Sequence, residues 1–290
     1  MLQNYSKPSG SGKSTRIAII FPRPAGGFFS HFAHFVSDFV FPFFSVLRRH
    51  DLVKEILEEE ILLEIKDVFP MKFGPMLPLA QEIFPGLKIE YTARFTKKPI
   101  RLCRDPWYNR PDDVDCFITF LKKVLVIKQS EYGVIIVRRG LARDKYPGGN
   151  FLFKSGADRR TIVGGLENLI SCVTERRRDT ICIELESCSL SEQVSLFLSA
   201  DTLIGQHGAA FVHSHWMPKG SHLIEFQCTK RKLCPGMIFQ FARIRKHKVS
   251  IVNYDCHVKD NCLCMNIDDA TKVVRLLTVS DPRIGNISAT

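Results

Sequence analysis

Apolar and polar positions alternate with two different rhythms along the chain, and the change falls near residue 130. Beyond it, apolar runs of strand length alternate with segments of helical spacing. Residues 133–139 (GVIIVRR), 180–186 (TICIELE), 201–205 (DTLIG), 221–227 (SHLIEFQ) and 249–254 (VSIVNY) predict strands. Between and after them, 165–175, 189–200, 208–217, 237–247 and 267–279 predict helices. The second of these starts with a capping-box pattern, Ser189 followed three residues later by Glu192. Strands that alternate with helices imply βαβ units and a parallel sheet.

The first part of the chain is less regular. Residues 17–21 (IAIIF), bounded by Arg16 and Pro22, predict a short buried strand. Residues 28–49 are rich in phenylalanine, with Phe32, Phe35, Val36, Phe39 and Val40 at helical spacing. Pro42 is expected to end or kink that helix. Residues 51–64 carry Leu52, Ile56, Leu57 and Ile61 with acids between them, which predicts another helix. Residues 65–116 are interrupted by prolines and give no assignment. These patterns place a boundary near residue 128, with one domain over 1–128 and a second over 129–290.

Composition narrows the class. A chain of 290 residues with 45% hydrophobic content has ample length for sizeable cores and is globular. Its net charge of +11 favours anionic partners without choosing among them. The densest basic run, Arg176, Arg177 and Arg178, reads as a solvated face. The ten cysteines are dispersed, and Cys262-Leu-Cys264 is too tightly spaced for a zinc knuckle. Disulfides in a secretory lumen would be compatible with this count. No run of 18 apolar residues occurs, so no transmembrane helix is expected, and the polar first fifteen residues predict no signal peptide. The acceptor triplets at Asn4 and Asn286 occur too readily by chance to carry weight.

One stretch invites a nucleotide triphosphatase reading. Residues 7–15, KPSGSGKST, contain Gly12, Lys13 and Ser14 as the second half of a P-loop, but Lys7 stands where the first glycine belongs. A P-loop joins a buried strand to a helix. Here the preceding MLQNYS is polar, and the following RIAIIF is itself a strand pattern. The stretch reads as a flexible lead-in.

The chemistry lies in residues 199–227. A strand ending at Gly205 runs through Gln206, His207, Gly208 and Ala209 into a helix. Small residues let the backbone approach a ligand, and the N–H groups at a helix start suit a diphosphate. His207 is placed to donate to a phosphate oxygen. The competing reading is a tight turn with a buried histidine, and the residues alone leave both open.

The same stretch, ADTLIGQHGAAFVHSHWMPKGSHLIEF, resembles the signature of glycosyltransferase family 61. Gly205, His207, Gly208, Ala209, Pro218, Gly220 and Glu225 carry the match. Upstream, VIIVRRG and RRTIVGGLENLI are similar to the family's strand ending in arginine and its arginine-rich turn. Arg138 or Arg139, and Arg159 or Arg160, fit those arginines. HFAHFVSDFVFPFF resembles the N-terminal element, with His34 and Asp38 in register and His31 where the family has asparagine. The resemblance implies an α/β fold of the GT-B type, two Rossmann-like domains with the N-terminal one shortened. It implies inverting transfer of N-acetylglucosamine or xylose from a UDP-sugar to a glycoprotein hydroxyl or glycan, in the lumen of the Golgi or endoplasmic reticulum. Nucleic acid is not an implied partner.

On this reading His207, the Gly208–Ala209 turn and the arginines at 138, 139, 159 and 160 would stabilise the leaving diphosphate. Glu225 would accept from a ribose or sugar hydroxyl. His34 and Asp38, four apart on one helix face, would form the general base, against a competing core or capping role. No metal is required, and Asp112–Asp115 (DDVD) reads as a loop or helix cap. Two alternatives remain: a catalytically inactive relative that binds nucleotide or a partner, and the P-loop triphosphatase.

Overall fold

The computed structural model describes residues 14–21, 29–68, 71–102, 111–138, 162–229, 236–254, 257–259, 262–264 and 267–278. The chain divides into two units, Met1–Leu125 and Val126–Thr290. Each is built on a parallel sheet with helices.

In the first unit the order is β1 (Thr15–Ile20), α1 (Phe32–His34), a π-helical stretch Phe35–Val40, α2 (Phe41–Arg49), α3 (Glu55–Glu58), β2 (Ile61–Lys66), a 3-10 turn Gly74–Met76, α4 (Leu77–Ile83), β3 (Leu87–Thr92), β4 (Ile100–Arg101) and α5 (Pro111–Val124). The four strands pair in parallel in the order β3-β2-β1-β4. The apolar run 17–21 thus becomes the strand between β2 and β4. The residues after Ser14 extend as strand, so no helix follows the KPSGSGKST stretch, whose first seven residues lie outside the described ones.

Two expectations are corrected here. Pro42 does not end the helical path, which continues from Phe32 to Arg49 but changes from π to α form next to the proline. Proline lacks an N–H and its ring crowds the carbonyl four residues back. The preceding turns widen to the π form, with the Phe41 N–H reaching Val36 O, and Pro42 takes a first-turn position of α2. The second correction concerns residues 51–64, of which only Glu55–Glu58 is α-helical, while Ile61–Lys66 is strand. Ile61, Leu63 and Ile65 are buried in the sheet, but so is Glu64. Its carboxylate is taken up by Arg16 (2.5 Å) and by the Thr96 N–H (2.9 Å) and hydroxyl. A buried acid inside a strand hid the strand pattern from the sequence.

The phenylalanines form the core of this unit. Phe29, Phe35, Phe39, Phe43, Phe73 and Phe84 are fully buried, and Phe39 meets Phe73 edge-to-face at 4.5 Å and stacks on Phe43 at 5.5 Å. Such pairs add about 0.5–1.5 kcal/mol each beyond burial. At the start of α5, Asp113 accepts from Ser45 Oγ (2.9 Å) and pairs with Arg48, so the DDVD stretch begins a helix and ties it to α2.

The second unit contains β5 (Val134–Val137), β6 (Ile162–Gly164), α6 (Leu166–Arg176), β7 (Thr180–Ile183), a 3-10 turn Leu185–Ser187, α7 (Leu190–Ser199), β8 (Thr202–Gln206), a 3-10 helix Ala209–Trp216, β9 (His222–Cys228), α8 (Gly236–Arg245), β10 (Lys248–Tyr254), β11 (His257–Lys259), β12 (Cys262–Cys264) and α9 (Ile267–Thr278). Five strands form a parallel sheet in the order β10-β9-β8-β5-β7. A small second sheet, β11-β12-β6, has no counterpart in the sequence reading. The predicted capping box forms, with Ser189 and Glu192 exchanging hydrogen bonds. One sheet face, through Val134, Ile136, Ile204, Ile224, Phe226 and Val252, packs with Leu169 and Val173 of α6 and Val273 and Leu277 of α9.

The amino edge of this sheet is closed by charge. Arg177 donates to Asp179 (2.8 and 2.7 Å) and to Asp201 (3.0 Å). The basic run is therefore not one solvated face: Arg176 and Arg178 are exposed, but the Arg177 side chain is clasped between two acids. Gly133 passes directly beneath, where a Cβ would press into the Asp179 carboxylate and the Arg177 guanidinium.

Candidate functional site

The chain order in the second sheet creates a switch point. From β5 the chain goes to β7 on one side and then to β8 on the other. In open parallel sheets, ligands bind beyond the carboxyl ends of the strands at such a point. The register aligns Ile183, Val137, Gly205, Glu225 and Ile251 in one line across the sheet, so the strand ends that follow lie side by side. Arg138 follows β5, and His207 follows β8.

His207 and Glu225 are hydrogen-bonded, ring Nδ1 to carboxylate Oε1. Glu225 has no exposed surface, and the His207 side chain is 13% exposed. Gln227, two residues on along β9, donates from Nε2 to the other oxygen, Oε2, at 3.3 Å. The sequence reading missed Gln227, although its i+2 position on a strand puts it on the same face as Glu225. Gly205 is the register partner of Glu225. A Cβ there would touch Val137 and Phe211 only at 3.7–3.8 Å, ordinary contact distances, so no clash requires the glycine.

Gly208 has extended backbone, and Ala209 opens the helix that follows. That helix is 3-10 rather than α. Its carbonyls are bound by side chains: His215 Nδ1 donates to Val212 O (2.9 Å) and His247 Nε2 to Ser214 O (2.7 Å). Just beyond its end, Arg245 Nε donates to Met217 O (2.7 Å). Trp216 and Met217 are core residues. Gly220, in the left-handed region at φ +81°, turns the chain into β9 and donates to Arg245 O at 3.1 Å. Burial pushes the His213 and His215 rings down to about 3 and His222 to about 4, and lowers His247. These four histidines are held neutral by burial.

Of the candidate arginines, Arg138 lies at the carboxyl edge of β5. Its guanidinium is 3.6 Å from both Glu184 and Glu167, the latter not singled out by the sequence. Arg139, Arg159 and Arg160 lie outside the described residues.

In the first unit, His34 Nδ1 and Asp38 Oδ2 are 2.6 Å apart on the π-helical path. Asp38 is buried, and the His34 side chain keeps 26% of its surface exposed. The His31 ring lies 5.6 Å from that of His34. Among the described residues no group of three or more His, Cys, Asp or Glu is arranged to hold a metal, and no helix is long and apolar enough to cross a membrane.

Comparison with known proteins agrees with this layout. The family model for Glycosyltransferase 61 matches residues 32–224, from the start of the phenylalanine-rich helix to β9. A stretch of 66 residues is 38% identical to Protein O-linked-mannose beta-1,4-N-acetylglucosaminyltransferase 2 of Xenopus laevis. That alignment covers 23% of this chain and 11% of the relative. With two Rossmann-like parallel-sheet units and a family match over well over half of its length, the chain belongs to glycosyltransferase family 61.

Proposed function

We propose that this glycosyltransferase is of the GT-B type and transfers a sugar from a UDP-sugar with inversion, the second unit binding the donor. N-acetylglucosamine or xylose is the sugar, and a glycoprotein hydroxyl or glycan the acceptor. The observation that carries this reading is the His207–Glu225 pair at the carboxyl edge of a switch-point sheet, next to the turn into the Ala209–Trp216 helix. The relative's printed name, an N-acetylglucosaminyltransferase acting on O-linked mannose, supports the choice of sugar and acceptor class. Work in the lumen of the Golgi or endoplasmic reticulum follows from that acceptor class.

In this mechanism the acceptor oxygen bonds to the anomeric carbon while the bond from that carbon to the diphosphate oxygen breaks. The electron pair leaves with UDP. His207, the N–H groups of the Gly208–Ala209 turn and arginines 138, 139, 159 and 160 meet the charge that develops there. His34 takes the acceptor proton. With its Nδ1–H donated to Asp38, Nε2 is the basic nitrogen. No resident metal enters this reading.

The test is calorimetric titration with UDP, UDP-N-acetylglucosamine and UDP-xylose, followed by an assay of UDP release with glycopeptide acceptors. Binding with turnover is expected. Failure of UDP and both UDP-sugars to bind would refute the donor reading. A second reading, a catalytically inactive relative, is favoured by His31 in the place of the family's asparagine, and binding without turnover would select it.

A further inference from the structure

The register of β8 and β9 sets Glu225 apart from the role its sequence position suggested. A carboxylate that recognises a ribose or sugar hydroxyl must offer a lone pair to the ligand. Glu225 has no exposed surface from which to reach a ligand, and its oxygens face protein side chains, Oε1 accepting from His207 and Oε2 from Gln227. The His207 ring on one side of it reaches the surface, 13% exposed, and Gln227 on the other side is partly exposed as well. Glu225 is therefore the innermost of the three, held between the partly buried side chains of His207 and Gln227.

We infer that Glu225 is a positioning residue: it holds the His207 ring by Nδ1, with Gln227 steadying the carboxylate, so that Nε2 is the nitrogen presented to the diphosphate of the donor. The placement follows from backbone geometry. Gly205 is the cross-strand partner of Glu225, and His207 is two residues further along the same strand direction. Imidazole can use one nitrogen for orientation and the other for a ligand, and the hydrogen bond at the first decides which way the second points. The inference rests on the donor reading above for the identity of the ligand, but not for the arrangement itself.

The experiment is a double-mutant cycle on UDP affinity, joined to a spectroscopic measurement on the protein alone. His207→Ala should weaken UDP binding about tenfold or more, as expected for loss of a hydrogen bond to a charged group. Glu225→Ala should weaken it to a similar degree, and the double variant should be no weaker than His207→Ala. Glu225→Gln, whose amide oxygen still accepts from Nδ1–H, should stay within about threefold of the unaltered protein. Additive losses, with Glu225→Ala discriminating against UDP-sugar more than against UDP, would restore Glu225 as a direct sugar contact and overturn the inference. A lowered melting temperature with unchanged UDP affinity in Glu225→Ala would reduce it to a fold residue, with the same consequence. In proton NMR, a protected low-field Nδ1–H signal should vanish in His207→Ala and Glu225→Ala and persist in Glu225→Gln. If the unaltered protein binds no UDP, the donor reading fails, and the inference is decided by this signal: its absence sinks the positioning role.

Discussion

His34–Asp38 and His207–Glu225 join the same pair of functional groups in the two units, and they are built in opposite ways. The first is local. Four residues along one helical path bring the ring to the carboxylate, and the ring keeps a quarter of its surface exposed. The second spans eighteen residues and exists only because β8 and β9 pair in parallel, with the carboxylate sealed inside. A partly exposed ring on a buried carboxylate suits proton transfer to a mobile acceptor. A ring held at a sheet edge by a buried carboxylate and a glutamine suits fixed recognition of a charged group.

If the pairs divide the work in this way, the largest separation should appear in turnover. His34→Ala should lower kcat by about 10²–10⁴-fold, the usual worth of a general base, while the UDP dissociation constant stays within about twofold. Steady-state kinetics with parallel calorimetry would show it, and a loss of UDP affinity matching the loss of turnover would erase the distinction.

Acid should strain the second pair's setting next. His213, His215, His222 and His247 are held neutral in the folded state, so above about pH 6.5 both states are neutral there and stability is complete. As pH falls below that value the unfolded chain takes up protons that the folded one refuses. Stability is then lost by up to ~1.4 kcal/mol per pH unit for each histidine, down to about pH 3 for His213 and His215 and about pH 4 for His222. Thermal melts should therefore fall steadily between pH 7 and pH 5. A flat profile would contradict the neutral burial of these rings.

The third test contrasts Glu225 with Glu64, also a fully buried strand glutamate. Burial raises the Glu64 carboxyl, but hydrogen bonds from Arg16 and Thr96 outweigh it and hold it below the usual range. Glu64→Ala should lower the melting temperature by roughly 5 °C, because Arg16 and Thr96 lose their acceptor, and leave UDP affinity untouched. A change in UDP affinity would place Glu64 in the donor site with Glu225.

The smallest effect concerns Gly205. Its backbone is not left-handed and a methyl group there meets only ordinary contacts, so Gly205→Ala should change stability by no more than about 0.5 kcal/mol. A methyl beside Glu225 should nonetheless be felt in UDP affinity if the carboxylate needs that space. An unfolded variant would show that the glycine serves the fold instead.

Much of the second unit was legible because parallel strands buried on both faces read as short apolar runs, and the helices between them carry caps and periodic faces. VIIV, TICI, TLIG and HLIEFQ each became a strand within a few residues of the expected limits. The first unit was harder for a physical reason. Glu64 stands inside β2 with its charge matched by Arg16, which is distant in sequence, so the alternation that marks a strand was broken by an interaction the local pattern does not contain. Pro42 did not end the helix, since the rule against proline inside a helix assumes an unaltered α turn before it.

The candidate site divides along the same line. His34 and Asp38 are four residues apart, and helical geometry alone brings them together. The glycine-and-histidine turn after β8 also follows from local order, as strand, small residues and helix succeed one another. That His207 meets Glu225, that Gln227 holds the carboxylate, and that Arg138 stands between Glu167 and Glu184 depend on which strands are neighbours and in what register. Spacing along a chain fixes contacts within one turn of helix. Contacts between strands are set by the packing of the whole sheet, which no short segment encodes.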